Sequence, residues 1–214
     1  MANKTPGQEL LENAYQLATP KDNATYYDAL APEYDGTFAE RLGYTYAEEV
    51  ARSYLATATQ EDVPVADIGC GTGLVALGLK LPASAVDGMD ISDAMLAIAR
   101  SKSLYRALYN VDLTGSLDSI SNDYGAVLSA GTFTHGHLGP EPLRALLAIA
   151  RTGGLFVIGI NEVHFAKQDF RSAFADMARE GLISEPVIDR RKMYSKSGHD
   201  HSDDHALIVN YRKR

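Results

Sequence analysis

Residues 65–73 read Val65-Ala66-Asp67-Ile68-Gly69-Cys70-Gly71-Thr72-Gly73. A short apolar run with the length of a buried strand passes directly into glycines at every second position. Glycines there permit a tight turn and let the backbone approach a ligand with no Cβ in the way. Leu74, Leu77 and Leu81 follow at helical spacing, so the stretch predicts strand, glycine turn and helix in succession.

The same alternation continues outward. Apolar runs at Val63–Ile68, Ser84–Met89, Tyr124–Ser129 and Gly154–Ile160 are bounded by Gly, Asp or Asn. Between them lie the helix-period sets Met95, Leu96, Ala99 and Leu143, Leu146, Leu147, Ala150. Ser92 is placed to cap the first of these, with Asp93 in its first turn. Pro186–Lys192 and Ala206–Arg212 read as a final strand pair, and Phe165, Phe170, Phe174 and Met177 as helical core positions. Strand and helix alternating at this spacing imply right-handed βαβ units and a parallel sheet covered on both faces. Residues 1–60 differ in texture: nine Asp/Glu against four Lys/Arg, and seven of the twelve tyrosines, namely Tyr15, Tyr26, Tyr27, Tyr34, Tyr44, Tyr46 and Tyr54. The expected division is a helical N-terminal extension over 1–60 and an α/β unit over 61–214, together one structural domain.

Composition excludes several classes. The 214 residues carry 20 Lys+Arg against 28 Asp+Glu, a formal charge of −8 and a pI near 5.2. Duplex affinity rests on Lys and Arg contacts to phosphate, so this balance argues against a nucleic-acid binder. The single cysteine, Cys70, excludes an intrachain disulfide framework. Met1–Leu11 lacks the pattern of a signal peptide, and no window approaches eighteen apolar residues. These features lead us to expect a soluble, cytoplasmic chain with no membrane partner, acting as a monomer or homodimer.

Asp90 closes Val86-Asp87-Gly88-Met89-Asp90, nineteen residues past Gly71. A carboxylate there can accept both hydroxyls of a ribose lying across the switch point of the sheet. Asp112 follows the third strand, where an adenine edge would lie. The dinucleotide fingerprint Gly-x-Gly-x-x-Gly seats a pyrophosphate on a helix N-terminus, whereas the spacing here is Gly69-x-Gly71-x-Gly73 with Asp67 just ahead. An anion beside a pyrophosphate is unfavourable and beside a sulfonium or ammonium favourable. S-adenosylmethionine is therefore the better expectation, with NAD the alternative.

Asp67-Ile68-Gly69-Cys70-Gly71-Thr72-Gly73, followed by Met89-Asp90-Ile91-Ser92-Asp93-Ala94-Met95-Leu96, resembles the first two motifs of the class I S-adenosylmethionine-dependent methyltransferases, over roughly residues 25–160. Tyr26-Tyr27-Asp28-Ala29-Leu30-Ala31-Pro32-Glu33-Tyr34-Asp35 resembles the family's N-terminal helix, whose tyrosines close over the cofactor. Ala130-Gly131-Thr132-Phe133-Thr134-His135-Gly136-His137 is similar to a bacterial group related to the Williams–Beuren-region methyltransferase. The resemblance implies a Rossmann-like, seven-stranded, mostly parallel sheet in the order 3-2-1-4-5-7-6, its last strand antiparallel, with helices on both faces. It also implies a set of cofactor-binding residues. Gly69, Cys70, Gly71 and Gly73 would lie along the methionine part, and Asp90 and Ile91 at the ribose. Met95 would lie at the adenine face, Asp112 and Leu113 at its edge, Ser129 and Ala130 near the amino group, and Tyr27 and Tyr34 would form a lid. One position departs: where the family carries an acidic residue at the start of the fourth strand, this chain has Gly125.

The implied activity is methyl transfer to O, N or S of a small molecule, leaving S-adenosylhomocysteine. All six histidines, His135, His137, His164, His199, His201 and His205, fall after residue 134, in loops that such a fold puts at the carboxyl edge of its sheet. A loop imidazole suits removal of the acceptor's proton. His135 is the first candidate and His137 the second, because Gly136 leaves the loop free to aim either. The run His199-Asp200-His201-Ser202-Asp203-Asp204-His205 offers metal-type ligands, but all from one short loop, and a solvated hairpin is the expectation. Cys70 reads as packing in a turn that needs a small side chain. No Asn/Asp-Pro-Pro-Tyr or Pro-Cys motif is present, which favours a small acceptor over DNA, RNA or protein. Two alternatives keep the cofactor: a cyclase or lyase that attacks the sulfonium internally, and a non-catalytic cofactor-binding regulator.

Overall fold

The computed structural model describes residues 6–14, 16–17 and 19–214. Residues 1–5 of the segment read for a signal peptide, and Tyr15 of the tyrosine set, lie outside the described residues. Helices α1 (Pro6–Ala14), α2 (Pro20–Glu33) and α3 (Tyr46–Thr57) precede the sheet. There follow β1 (Val65–Ile68), α4 (Leu74–Leu79), β2 (Val86–Asp90), α5 (Asp93–Ser101), β3 (Ala107–Asn110) and β4 (Tyr124–Phe133). The chain ends with α6 (Pro142–Leu146), β5 (Ala150–Asn161), α7 (Glu162–Lys167), α8 (Phe170–Arg179), β6 (Val187–Lys192) and β7 (His205–Arg212). The seven strands form one sheet in the order β3-β2-β1-β4-β5-β7-β6. β7 is antiparallel to both β5 and β6, and the pairs among β1–β5 are parallel. This is the sheet the resemblance implied.

Alternate residues of the central strands feed two cores. Val65, Ala126, Leu128 and Val157 pack on one face against Tyr46, Val50 and Tyr54 of α3 and Val75 and Leu79 of α4. Ala66, Ile68, Val127 and Phe156 pack on the other against Leu143, Leu146, Phe170 and Phe174. Strand side chains alternate with period two, so a strand buried on both faces must be apolar throughout, as β1 and β5 nearly are. α3 is thus part of the core although it lies within residues 1–60. Two helical expectations shift. Leu77 is exposed, and Val75, Ala76 and Leu79 bury the inner face of α4. Ala150 opens β5 instead of closing α6.

Gly125 has a direct explanation. A Cβ there would stand 2.6 Å from Glu61 O and from Val63 N, so the 61–63 backbone occupies the space a side chain would need. A carboxylate is nevertheless supplied nearby: Asp62, buried, accepts from Arg212 Nη1 at 2.7 Å and Nη2 at 3.0 Å and from Thr59 N at 2.7 Å.

Three devices bring the N-terminal helices over the carboxyl edge. Thr19 and Asp22 form a reciprocal capping box that starts α2. Asp28 of α2 accepts from Ser92 Oγ at 2.6 Å and Ala94 N at 3.1 Å, capping α5 from outside, while Ser92 accepts from Met95 N as expected. Asp35 accepts from Thr72 Oγ1 at 2.6 Å and pairs with Lys102. Past Pro32, which cannot donate to a preceding turn, the helix widens into a π-helical segment over Tyr34–Glu40.

Candidate active site

A cavity of about 580 Å³ opens where β1, β2 and β4 end, floored by the glycine turn and roofed by α2. That is the crevice beyond the strand ends where open α/β sheets bind ligands, and its size suits a cofactor-sized ligand. Gly69 takes φ +64°, and a Cβ on it would collide with Thr132 Oγ1. Thr132 itself is held by donating to Ile68 O at 3.1 Å. A Cβ on Gly71 would meet nothing within 4 Å, so the absence of a side chain there keeps open space above the turn. Asp90 is oriented by two backbone donors, Gly71 N at 2.8 Å to one oxygen and Ser92 N at 2.9 Å to the other. Each oxygen keeps a second lone pair for a ligand hydroxyl. Burial raises the Asp90 carboxyl above its ordinary range, and its backbone donors pull it back down.

Of the residues the resemblance implied, Tyr27, Tyr34, Gly69, Gly71, Asp90, Ile91, Met95, Asp112, Leu113 and Ala130 line this cavity. Cys70, Gly73 and Ser129 do not. Ser129 is fully buried and donates to Ile68 O at 2.8 Å, tying β4 to β1. Gly73 starts α4 with φ +94° and lies against the ring of Tyr105. Cys70 is turned inward towards Gly88, and burial pushes its thiol pKa well up, consistent with packing.

Asp67 also differs from expectation. It points into the core, fully buried, and accepts from Tyr105 Oη at 2.7 Å. Burial raises its carboxyl to about 7, opposed by the Tyr105 hydrogen bond. The negative field of the cavity comes instead from Asp90, Asp112 and Glu141, while among the described residues no Lys or Arg lines it. A cationic ligand is favoured there and a pyrophosphate is not.

The histidines separate sharply. All six lie at the carboxyl edge, since β5 ends beside the start of β7, Asn161 opposite Ala206. His137 lines the cavity. His135, the first candidate for the base, lines neither this cavity nor its smaller neighbour, and its ring stands edge-on to His164 at 5.4 Å. The reason is local: Gly136 at φ +74° turns the two flanking imidazoles apart. His137 Nδ1 donates to His135 O at 2.8 Å, which fixes the tautomer, and Nε2 accepts from Tyr27 Oη at 3.0 Å. Burial pushes the His137 pKa down to about 4, against the pull of its backbone hydrogen bond.

Sequence reading missed Asn23. It donates to Thr19 O and to Gly136 O, both at 3.0 Å, and so fastens α2 to the histidine loop beside the cavity. An isolated Asn in a polar helix carries no signal for that role. In the 199–205 loop His201 pairs with Asp204 at 2.9 Å, which raises the imidazole pKa. Among the described residues no three His, Cys, Asp or Glu side chains gather as a metal site, and no helix is long and apolar enough to cross a membrane.

The fold and the cavity over its glycine turn together define a class: the chain belongs to the class I S-adenosylmethionine-dependent methyltransferases, and its cofactor is S-adenosylmethionine. A family model described as a methyltransferase domain matches residues 65–154. Human methyltransferase-like protein 27 is 30% identical over 176 residues, covering 76% of this chain and 70% of that protein. The structure resembles a Thermotoga maritima S-adenosylmethionine-dependent methyltransferase, described as a possible histamine N-methyltransferase, with a TM-score of 0.60 at 18% identity over 88% of this chain and 98% of that one. It also resembles the cyclase SpnF, with a TM-score of 0.62 at 17% identity over 92% and 97% of the two chains.

Proposed function

We propose that this protein transfers the methyl group of S-adenosylmethionine to a small, uncharged acceptor, with Tyr27 and His137 removing the acceptor's proton. The observation that carries this reading is the Tyr27–His137 hydrogen bond on the wall of the cavity floored by Gly69 and Gly71. The donor set fits the cofactor. Asp90 would accept the ribose hydroxyls, and Ile91, Met95 and Leu113 would enclose the adenine, with Asp112 at its edge. Ala130 would border the methionine end, and Tyr27 and Tyr34 would present ring faces that attract a sulfonium. In this reading α2 is the lid.

When bound, the cofactor supplies an electrophilic methyl group on a cationic sulfur, and in-line placement provides much of the rate. His137 stays neutral beside that cation because its pKa lies near 4. Tyr27 can pass its proton to His137 Nε2 while its oxygen takes the proton of the acceptor. The positive charge on His137 is then created only as the charge on sulfur disappears, so two cations never coexist. Excluding water under α2 strengthens each of these interactions. Product identification tests this reading: S-adenosylhomocysteine in step with a methylated acceptor supports it, and methylthioadenosine would indicate the internal attack of a cyclase or lyase.

A further inference from the structure

A second, smaller chamber of about 40 Å³ adjoins the first, and Tyr27, Tyr34, Gly131 and His137 line both. The remaining wall is aromatic and aliphatic, with Phe38, Tyr44 and Tyr194 prominent. Successive rings touch along it: Tyr27–Tyr34 at 6.3 Å, Tyr34–Phe38 at 5.0 Å, Phe38–Tyr44 at 5.3 Å and Tyr44–Tyr194 at 5.7 Å between centroids. Among the described residues, none that lines it carries a full charge. One polar atom stands out. Thr134 is 95% buried, lines this chamber, and among the described residues its Oγ1 has no hydrogen-bond partner. A buried hydroxyl without a partner is costly and calls for an explanation.

We propose that this chamber receives the reacting head of the acceptor, that the head is an uncharged hydroxyl on an apolar or aromatic body, and that Thr134 determines this choice. The inference rests on the methyl-transfer reading above. A hydroxyl oxygen has one proton and two lone pairs. Its proton is donated to Tyr27, one lone pair accepts from Thr134 Oγ1, and the other faces the methyl group. The O–CH3 bond forms with that lone pair as the CH3–S bond breaks, its electron pair remaining on sulfur. The acceptor proton passes to Tyr27, whose own proton moves to His137 Nε2. A carboxylate or phosphate head would meet no cation in this chamber. An ammonium head would meet no carboxylate and would lie beside the sulfonium, an unfavourable approach of like charges. A volume of about 40 Å³ admits only the head, since about 10–15 Å³ holds one water; the body extends past Tyr27 and Tyr34 into the larger cavity.

Binding of phenol, benzoate and benzylammonium to the full chain saturated with S-adenosylhomocysteine tests this, read by ligand-observed NMR. Phenol should bind at least about tenfold more tightly than either ion. Thr134→Val should weaken phenol about three- to tenfold, the worth of one hydrogen bond. Thr134→Ser should restore it, and neither variant should change the affinity for S-adenosylhomocysteine. Equal or tighter binding of an ion, absence of phenol binding, or a Thr134→Val variant with unaltered phenol affinity would overturn the assignment. Methylthioadenosine as the product of turnover would overturn methyl transfer itself while leaving the phenol ranking intact, so the two failures are distinguishable.

Discussion

Tyr27 Oη donates to His137 Nε2 at 3.0 Å, joining helix α2 to the loop after β4 across the rim of both cavities. Because Nδ1 is committed to His135 O, the one basic lone pair on the ring is the one Tyr27 holds. Tyr27→Phe and His137→Ala should each lower kcat by about 100-fold, the usual worth of a positioned proton acceptor, while the affinity for S-adenosylhomocysteine in calorimetry stays nearly constant. His135→Ala should cost far less, since His135 lines neither cavity. With the His137 pKa near 4, the imidazole remains in its basic form at pH 6, and kcat should show no falling limb around 6.5. Such a limb, or a larger loss for His135→Ala than for His137→Ala, would contradict the role.

Asp90 holds the glycine turn as well as the proposed ribose. Asp90→Ala should weaken cofactor binding by about 1.5–3 kcal/mol through lost charge-assisted hydrogen bonds. Isothermal titration with S-adenosylhomocysteine measures this, and unchanged affinity would remove Asp90 from the ribose.

Asp67 makes stability depend on pH. Burial takes its carboxyl from an ordinary 3.8 to about 7, so between those values the folded chain holds a proton that the unfolded chain has released. Its contribution is complete below pH 3.8 and is lost as pH rises through 7. Asp67→Asn should flatten this component of the Tm-against-pH curve between about pH 4 and 7. An identical curve for the variant would show that the buried Asp67 is not the group titrating.

The grip of α2 on α5 is set by Asp28. Asp28→Ala removes acceptors from Ser92 Oγ and Ala94 N and should cost about 1 kcal/mol in urea unfolding, the worth of a helix cap. Hydrogen exchange should rise in α2 and in the first turn of α5 while the central strands keep their protection. Unchanged exchange in α2 would indicate that the lid is held elsewhere.

Most of the sheet was legible because β1, β2, β4, β5 and β7 are apolar on one or both faces and are punctuated by Gly, Asp or Asn, a pattern that depends only on neighbours in sequence. The strand order came from the family resemblance, and β7 beside β5 conforms to it. The cavity floor was legible for the same reason: Gly69, Gly71 and Asp90 act largely through backbone geometry that local spacing encodes. Side-chain direction was not. His135 and His137 differ by two positions, and only the left-handed turn at Gly136 determines which faces the cavity. Asp67 shares the buried face of Val65 on the strand directly before the turn, and the partner that satisfies it there, Tyr105, comes from 38 residues further on. Thr134 and Asn23 gain their meaning from partners, or from the lack of one, contributed by distant segments.

A crystal structure of the S-adenosylhomocysteine complex tests the central claim most directly. The account expects the ribose hydroxyls on Asp90, the adenine against Met95, and the sulfur beside Gly131 facing Tyr27 and the mouth of the small chamber. A sulfur directed away from Tyr27, or one with His135 and not the Tyr27–His137 pair as its nearest basic group, would contradict it.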